Sequence, residues 1–320
     1  MLDGLPVVSG GFARGMMASR LLRLASRLAA AAPRSRAPRL ALGAGAASLI
    51  AGPCLSSASC APASTPPPLW HKCIAEAFGT GMIVQLGCGV VCAHLYAGSA
   101  IGPGAIAAVW GFSVALAAHL THRISGAHLN PAVTTALTVT GKSPVEDAPA
   151  YIFSQCVGAA IASAVNYVIF SAGIAAMEVE KKIVRGTAAS TASFNGAFGM
   201  VPNPRLLTPA AAFAAEVWMT AILVFSIFAI GDPNGGVPSA AAPVFVGATV
   251  AALVTVFGPV TGSGMNPARD LGPRLVTLLA GWGAAATTSW WVYTLGPITG
   301  AVLGGMAYQK LFADLLPKKV

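Results

Sequence analysis

Charged residues are scarce in this sequence, and their scarcity argues against an ordinary soluble domain. Only 9% of the 320 residues are Asp, Glu, Lys or Arg, whereas 55% are hydrophobic; a typical soluble domain carries about 25% charged residues. No charged residue lies between Glu76 and Arg123 or between Arg274 and Lys310. Each stretch exceeds the roughly 20 residues that one helix needs to cross a bilayer. The sequence therefore predicts a chain that lies mostly in membrane lipid.

Three further absences narrow the structure and the function. Apolar runs such as residues 221–230 do not alternate with polar residues, which excludes a transmembrane β-barrel. The six cysteines have no paired metal-ligand spacing, so we expect no metal or cofactor and interpret them as small apolar side chains. No nucleophile and base stand together in the motif regions, so we expect no catalytic site and no enzyme.

Residues 1–70 differ in composition from the rest of the chain. They hold seven arginines and one acid, Asp3, and this segment accounts for much of the net charge of +9. The charge therefore gives no reason to expect a nucleic-acid partner. An Arg-rich, acid-poor extension resembles an organelle transit peptide and predicts a plastid or mitochondrial membrane. A cytosolic tail, a mis-assigned start and a plasma-membrane location are the alternatives.

The rest of the chain, residues 71–315, is predicted to be one all-α membrane domain with six transmembrane helices. Abundant Gly and Ala favour closely packed membrane helices. The predicted spans are residues 73–96, 104–122, 149–173, 209–231, 238–258 and 288–312. Two apolar stretches, 125–140 and 261–278, are too short to cross and are interrupted by proline.

The domain contains two similar halves, about residues 72–173 and 209–312. Glu76 and Glu216 are each followed four residues later by Thr, and they precede Asn130 and Asn266 by 54 and 50 positions. With three spans in each half, the second half must enter the membrane from the opposite side. Such inverted repeats place the functional site near the midplane, where broken helices meet.

Each half carries an Asn-Pro-Ala triplet in its short apolar stretch. The triplets are Asn130, Pro131, Ala132 and Asn266, Pro267, Ala268. Asn is a strong N-cap and Pro is favoured at the first helical position, so each triplet predicts the start of a half-helix. If each Asn oxygen caps its own half-helix, we expect its amide hydrogens to remain free for a passing hydroxyl or water. The two N-termini would face each other, each with roughly +0.5 of a charge, and repel cations.

The segments before the triplets are predicted to be extended, with backbone carbonyls that line a wet cavity. The carbonyls concerned belong to Gly126, Ala127, His128, Gly264 and Met265. An intramembrane carboxylate needs partners, so we expect Glu76 and Glu216 to accept hydrogen bonds from these segments and to support the pore. A proton relay is the alternative role for them.

Arg269 lies three residues after Asn266 and is predicted to be a selectivity residue that supplies a fixed positive charge and hydrogen-bond donors. An interfacial Arg paired with Asp270 is the alternative. We count Asp270, with the two glutamates, among the residues that support the pore.

The motifs SGAHLNPAV (125–133), GSGMNPARDLGPRL (262–275) and the paired Glu-x-x-x-Thr resemble the major intrinsic proteins, or aquaporin superfamily, over about residues 72–312. Asp270, LAGWG (279–283) and the loop 184–204 are similar to the glycerol-facilitator branch. The resemblance implies the aquaporin-like fold, a homotetramer, and a passive channel for glycerol, other small uncharged solutes and water that excludes ions and protons.

The resemblance also implies a narrow filter of four residues, which motif matching places at Trp110, Val254, Ser263 and Arg269. Val254 and Ser263 depart from the bacterial facilitator, which has Gly and Phe there, and come closer to nodulin-like plant channels. A hydroxyl in place of the Phe wall favours urea or ammonia, so a channel mainly for water, urea or ammonia is one alternative. An ion-coupled secondary transporter and a non-conducting adhesion protein are the others.

Overall fold

The computed structural model describes residues 66–317, and the regular structure in that range is helical apart from one isolated bridge between Asn195 and Gly199. The α-helices are α1 (Leu69–Tyr96), α2 (Pro103–Ser125), α3 (Pro131–Val139), α4 (Ala148–Glu180), α5 (Pro209–Ile230), α6 (Ala242–Thr261), α7 (Pro267–Thr277) and α8 (Trp290–Leu311). The predicted extension lies outside the described residues, except for residues 66–70. Two of those, Leu69 and Trp70, already belong to α1.

Five of the described helices, α1, α2, α4, α5 and α6, are long and apolar enough to cross a bilayer. The sixth predicted span, α8, has 22 residues and is about 33 Å long at 1.5 Å per residue. It is not among the five, and Gly, Pro and Tyr interrupt its apolar residues. Together with the short helices α3 and α7, these six helices confirm the predicted all-α membrane fold, since each predicted span coincides with a long helix.

The end of α4 is the largest departure from the predicted boundaries. We predicted a span that ends at residue 173, but the helix continues for seven residues, to Glu180. It stops where two lysines follow, and Lys182 has a left-handed backbone with φ of 53°. The extra turns carry Glu178, which is buried, so α4 contributes to the loop region beyond the apolar core.

The two halves repeat in their helix packing. In the first half α1 packs against α4, and in the second α5 packs against α8. A Cβ atom at Gly158 would overlap the carbonyl of Ala77, and one at Gly300 would overlap the carbonyl of Val217. Ala77 and Val217 directly follow the two intramembrane glutamates. The same glycine contact therefore sets the backbone approach in both halves, as expected of packing between membrane helices.

Replacing Gly158 with alanine is expected to lower the stability of the folded protein by about 1–3 kcal/mol, the range found for overpacked interiors. The new methyl group has no room because the Ala77 backbone occupies its place. The melting temperature of the detergent-purified protein measures the effect. Gly104→Ala is the matched control, since no atom lies within 4 Å of its Cβ position. Equal melting temperatures for the two variants would contradict the packing argument.

The two half-helices connect the halves crosswise. Half-helix α3 of the first half packs against α8 of the second, and α7 of the second packs against α4 of the first. Helices α2 and α6 meet at the centre, where Gly111 and Gly247 each lie against the carbonyl of the other. This reciprocal contact is the kind that an approximate two-fold relation between the two halves produces.

Candidate functional site

Both half-helices begin at the triplets. The Asn130 Oδ1 accepts a hydrogen bond from the Ala132 backbone N at 2.8 Å, and Asn266 Oδ1 accepts from Ala268 N at 3.0 Å and Arg269 N at 3.3 Å. Both Asn residues are extended, and Pro131 and Pro267 occupy the first helical positions. Each side-chain oxygen therefore satisfies backbone donors that the helix leaves unpaired.

The amide groups of the two Asn residues cross-link the halves. Asn130 Nδ2 donates to the Met265 carbonyl at 2.8 Å, and Asn266 Nδ2 donates to the Leu129 carbonyl at 2.8 Å. We expected both amide hydrogens of each Asn to be free. This was wrong for one hydrogen on each Asn, because it is donated to a backbone carbonyl in the loop of the other half. Since the amide nitrogen carries two hydrogens, one on each Asn remains for another acceptor.

The loops before the triplets have the same unusual backbone in both halves. Ala127 and Leu129 have φ of 53° and 52°, and Ser263 and Met265, at the equivalent positions, have φ of 56° and 52°. Non-glycine residues rarely adopt such values, which cost about 1–3 kcal/mol each unless the surroundings enforce them. The same strain occurs at matching positions in both halves. This indicates that the direction of the backbone carbonyls in these two loops is important for the site.

Glu76 and Glu216 hold these loops in place. The two carboxylate oxygens of Glu76 accept from the backbone N atoms of His128 at 2.9 Å and Leu129 at 2.6 Å. Those of Glu216 accept from Gly264 N and Met265 N, each at 2.9 Å. Both glutamates are fully buried, and these bonds compensate for part of the desolvation of each carboxylate.

One tyrosine completes each of the two loop anchors, and sequence reasoning missed this role. Tyr151 Oη donates to the Ser125 carbonyl at 2.8 Å, and Tyr293 Oη donates to the Thr261 carbonyl at 2.7 Å. Ser125 and Thr261 both lie five residues before a triplet Asn. The sequence contained a signal for this role, since each Tyr lies near the start of the last long helix of its half, α4 or α8.

A cavity of about 220 Å³ passes the triplets. Its lining includes Gly231 and Ser239, in the loop after α5, and extends past Asn130 and Asn266 to Arg269. All the predicted site residues before the triplets also line it, namely Gly126, Ala127, His128, Gly264 and Met265. Glu76, Glu216 and Asp270 lie behind this lining rather than in it. The structure thus separates the residues that face the cavity from those that hold the loops.

The four predicted filter residues line this same cavity. The Arg269 guanidinium carbon lies 4.5 Å from the centre of the Trp110 ring, a cation–π contact. Arg269 Nη2 donates to the Gly196 carbonyl at 3.3 Å, whereas Nη1 is buried and finds no acceptor among residues 66–317. Ser263 Oγ lies 3.3 Å from the Leu253 carbonyl. Arg269 therefore contributes a positive group to the cavity wall, and its Nη1 has no acceptor among the described residues.

Asp270 pairs with Arg274 rather than with Arg269, so the alternative interpretation of Arg269 was wrong on this point. Asp270 Oδ2 lies 2.6 Å from Arg274 Nε, and both side chains are almost fully buried. Asp270 Oδ1 accepts from the Met200 backbone N at 2.8 Å. The pair therefore binds the loop between α4 and α5 to half-helix α7, which carries Arg269.

Comparison with known proteins agrees with this geometry. The profile of the family described as Major intrinsic protein matches residues 63–308. The glycerol uptake facilitator protein of Escherichia coli strain K12 is 41% identical over 253 residues, which cover 77% of this chain and 89% of that protein. The glycerol uptake facilitator protein of Pseudomonas aeruginosa is 39% identical over 262 residues, covering 80% and 93%. The X-ray structure of the aquaglyceroporin from Plasmodium falciparum superposes with a TM-score of 0.67 at 26% identity and covers 78% of this chain and 100% of that one.

Proposed function

Since the chain belongs to the major intrinsic protein family, we propose that it is a passive transmembrane channel for glycerol and other small uncharged solutes, with water, that excludes ions and protons. It is an integral multi-pass membrane protein and a transport protein rather than an enzyme. The observation that carries the proposal is Arg269: a buried cation beside the cavity, with Nη1 unpaired among the described residues.

The filter geometry supports a solute that is apolar on one edge and hydroxylated on the other. Trp110 and Val254 supply apolar surface, and Arg269 supplies donors to hydroxyl oxygens. Glycerol has this pattern, because its hydroxyls can lie along one side of its carbon chain. The two half-helix N-termini and Arg269 place positive potential along the same path, which opposes cations.

The secondary-transporter alternative lacks the groups that ion coupling commonly uses. Among the described residues that line the cavity none is Asp or Glu. The buried glutamates are engaged with loop backbone instead. Intramembrane carboxylates facing the pathway are the usual sites of coupling ions and proton relays, so the arrangement favours a passive channel and a supporting role for both glutamates.

Stopped-flow light scattering on proteoliposomes tests the channel. The wild-type protein is expected to raise glycerol and water permeability above that of empty vesicles, without dependence on an ion gradient. Val254→Trp is the control, because a large ring at this wall should obstruct the cavity while the fold remains. No rise over empty vesicles would refute the channel, and a rise that needs a sodium or proton gradient would support a transporter.

We propose that urea or ammonia is a further solute because Ser263 adds a hydroxyl to the filter. Ser263→Phe is expected to lower the urea-to-glycerol permeability ratio roughly fivefold, the equivalent of one neutral hydrogen bond of about 1 kcal/mol. The same stopped-flow assay measures both solutes. Ser263→Ala, which removes the hydroxyl without filling the space, separates the two effects. An unchanged ratio in both variants would remove Ser263 from solute selection.

Three further parts of the proposal concern organisation and location. We propose a division at about residue 70 into an extension and a channel domain, a homotetramer, and targeting to a plastid or mitochondrial membrane. The Arg-rich composition of residues 1–70 supports targeting, and the family resemblance supports the tetramer. Localisation of fluorescent fusions with and without residues 1–70 tests the separate extension and its targeting role, since identical localisation would refute targeting. Light scattering on the purified protein measures its mass and so tests the homotetramer.

A further inference from the structure

The orientation of Arg269 depends on a loop outside the half-helices. The Gly196 carbonyl, which accepts from Arg269 Nη2 at 3.3 Å, belongs to the segment between α4 and α5. Gly196 has a left-handed φ of 83°, and its N donates to the Gly199 carbonyl at 2.8 Å. The acceptor for Arg269 is thus fixed by a tight turn, and the position of that turn depends on how the loop is anchored.

One anchor of the turn is Ser193, three residues before Gly196. Ser193 Oγ accepts from Trp282 Nε1 at 2.8 Å, and its one hydrogen is shared between Glu178 Oε1 at 3.2 Å and the Ser190 carbonyl at 2.9 Å. Its carbonyl accepts from Tyr96 Oη at 2.7 Å. Ser193 is fully buried, so the segment entering the turn is held by groups from three separate elements.

Glu178 is itself held by Arg185. Arg185 Nε lies 2.7 Å and 3.0 Å from the two Glu178 oxygens, and Nη1 donates to the Ala280 carbonyl at 2.8 Å and to Tyr167 Oη at 3.0 Å. The guanidinium carbon lies 3.8 Å from the Trp282 ring centre. Burial tends to lower the pKa of Arg185, but the hydrogen bonds to Glu178 and Tyr167 outweigh it, and the pKa is raised. The Arg185 guanidinium therefore stays charged beside Glu178.

We propose that the Glu178–Arg185 pair is a positioning pair for the filter: through Ser193 it fixes the Gly196 carbonyl, and through that carbonyl it fixes the orientation of Arg269. The inference rests on the proposed channel function. Neither side chain lines the cavity, so the pair acts on solute selection only through Arg269. When the carbonyl shifts, the Arg269 donor loses its acceptor and the side chain turns into the cavity to bind water, which narrows the passage for glycerol more than for water.

The second anchor of the loop explains why loss of the pair should change selectivity rather than unfold the loop. Met200, four residues after Gly196, donates its N to Asp270, and its carbonyl accepts from Arg274. Both of these residues belong to α7. The loop stays attached to the half-helix when the Ser193 end is released, so the turn moves without leaving the filter.

Proteoliposomes containing the full chain test the proposal through the glycerol-to-water permeability ratio. Arg185→Met is expected to lower this ratio at least fivefold, and Glu178→Gln is expected to lower it as well. Arg185→Lys, which keeps the charge, should retain part of the wild-type ratio. Lys72→Met is the matched control. It removes another partly buried ion pair, Lys72–Asp147 at 3.0 Å, which has no bond to the loop, and its ratio should equal that of the wild type.

A double-mutant cycle separates positioning from a general structural effect. In an Arg269→Val background Arg185→Met should produce no further change in the ratio, because the group it acts through is gone. If Arg185→Met does not fold, Ser193→Ala removes the hydroxyl that links the Glu178–Arg185 pair to the turn. This variant should also lower the glycerol-to-water permeability ratio. An unchanged ratio in a folded variant, or an equal change in the Arg269→Val background, would overturn the positioning role. A wild-type protein that conducts neither solute would instead overturn the channel.

Discussion

Replacing Arg274 with methionine is expected to destabilise the folded protein by about 3–5 kcal/mol, the cost of leaving one member of a buried ion pair without its partner. Asp270 would keep only its bond to Met200 N, at zero side-chain exposure. The carbonyls of Met200, Ala286 and Thr288 would also lose their donor. Size-exclusion chromatography of a fluorescent fusion, followed by thermal denaturation, should show loss of most of the monodisperse protein.

Two variants show whether this effect comes from the unpaired charge. Arg205→Met removes an arginine from an exposed loop position and should change stability by no more than about 0.5 kcal/mol. Changing Asp270→Leu together with Arg274→Met removes both charges and should recover part of the loss, because no buried carboxylate is then left unpaired. A stable Arg274→Met protein would show that the pair does not hold the loop to α7.

The sequence was sufficient to predict the repeat, the half-helices and the buried glutamates. Each of these depends on short-range chemistry: Asn and Pro at a helix start, a carboxylate inside an apolar run, and spacing that recurs. The structure places Glu76 and Glu216 on the backbone of the loops named for them. Such features can be predicted because an intramembrane polar group has few ways to be satisfied.

The contacts that the sequence did not predict join residues far apart in the chain. The bond from Asn130 to the Met265 carbonyl spans 135 positions, and that from Arg269 to the Gly196 carbonyl spans 73. Both use a backbone carbonyl as acceptor, which every residue possesses, so no residue type signals the partner. The extension of α4 to Glu180 was not predicted for a related reason. Glu178 interrupts the apolar pattern, yet it is buried because it pairs with Arg185 from the following loop.

The filter is where these long-range contacts decide function. Arg269 takes its position from α7, from the Trp110 ring and from Gly196. Its charge is fixed by residue type, whereas the direction of its donors depends on a loop whose own anchors lie on α4 and α7. Solute selectivity is therefore expected to respond to changes outside the cavity, whereas cation exclusion should depend mainly on the charge itself.

Replacing Arg269 with valine is therefore expected to raise proton or sodium leakage at least tenfold while glycerol still passes. Two unit charges 4 Å apart at an effective dielectric constant of about 20 repel by about 4 kcal/mol, which corresponds to an upper limit of roughly a thousandfold. The half-helix N-termini, roughly +0.5 of a charge each, should retain part of the barrier. A pH-sensitive dye inside proteoliposomes under an imposed gradient measures the leak, and planar-bilayer recording measures sodium current.

Arg269→Lys distinguishes charge from shape at this position. Lysine keeps the positive charge but loses the planar guanidinium that contacts the Trp110 ring and donates to the Gly196 carbonyl. It should therefore restore cation exclusion while the glycerol-to-water permeability ratio stays altered. If Arg269→Val leaks no more than the wild type, the half-helix termini alone suffice as the barrier. If Arg269→Lys leaks as much as Arg269→Val, exclusion depends on the fit of the guanidinium rather than on its charge.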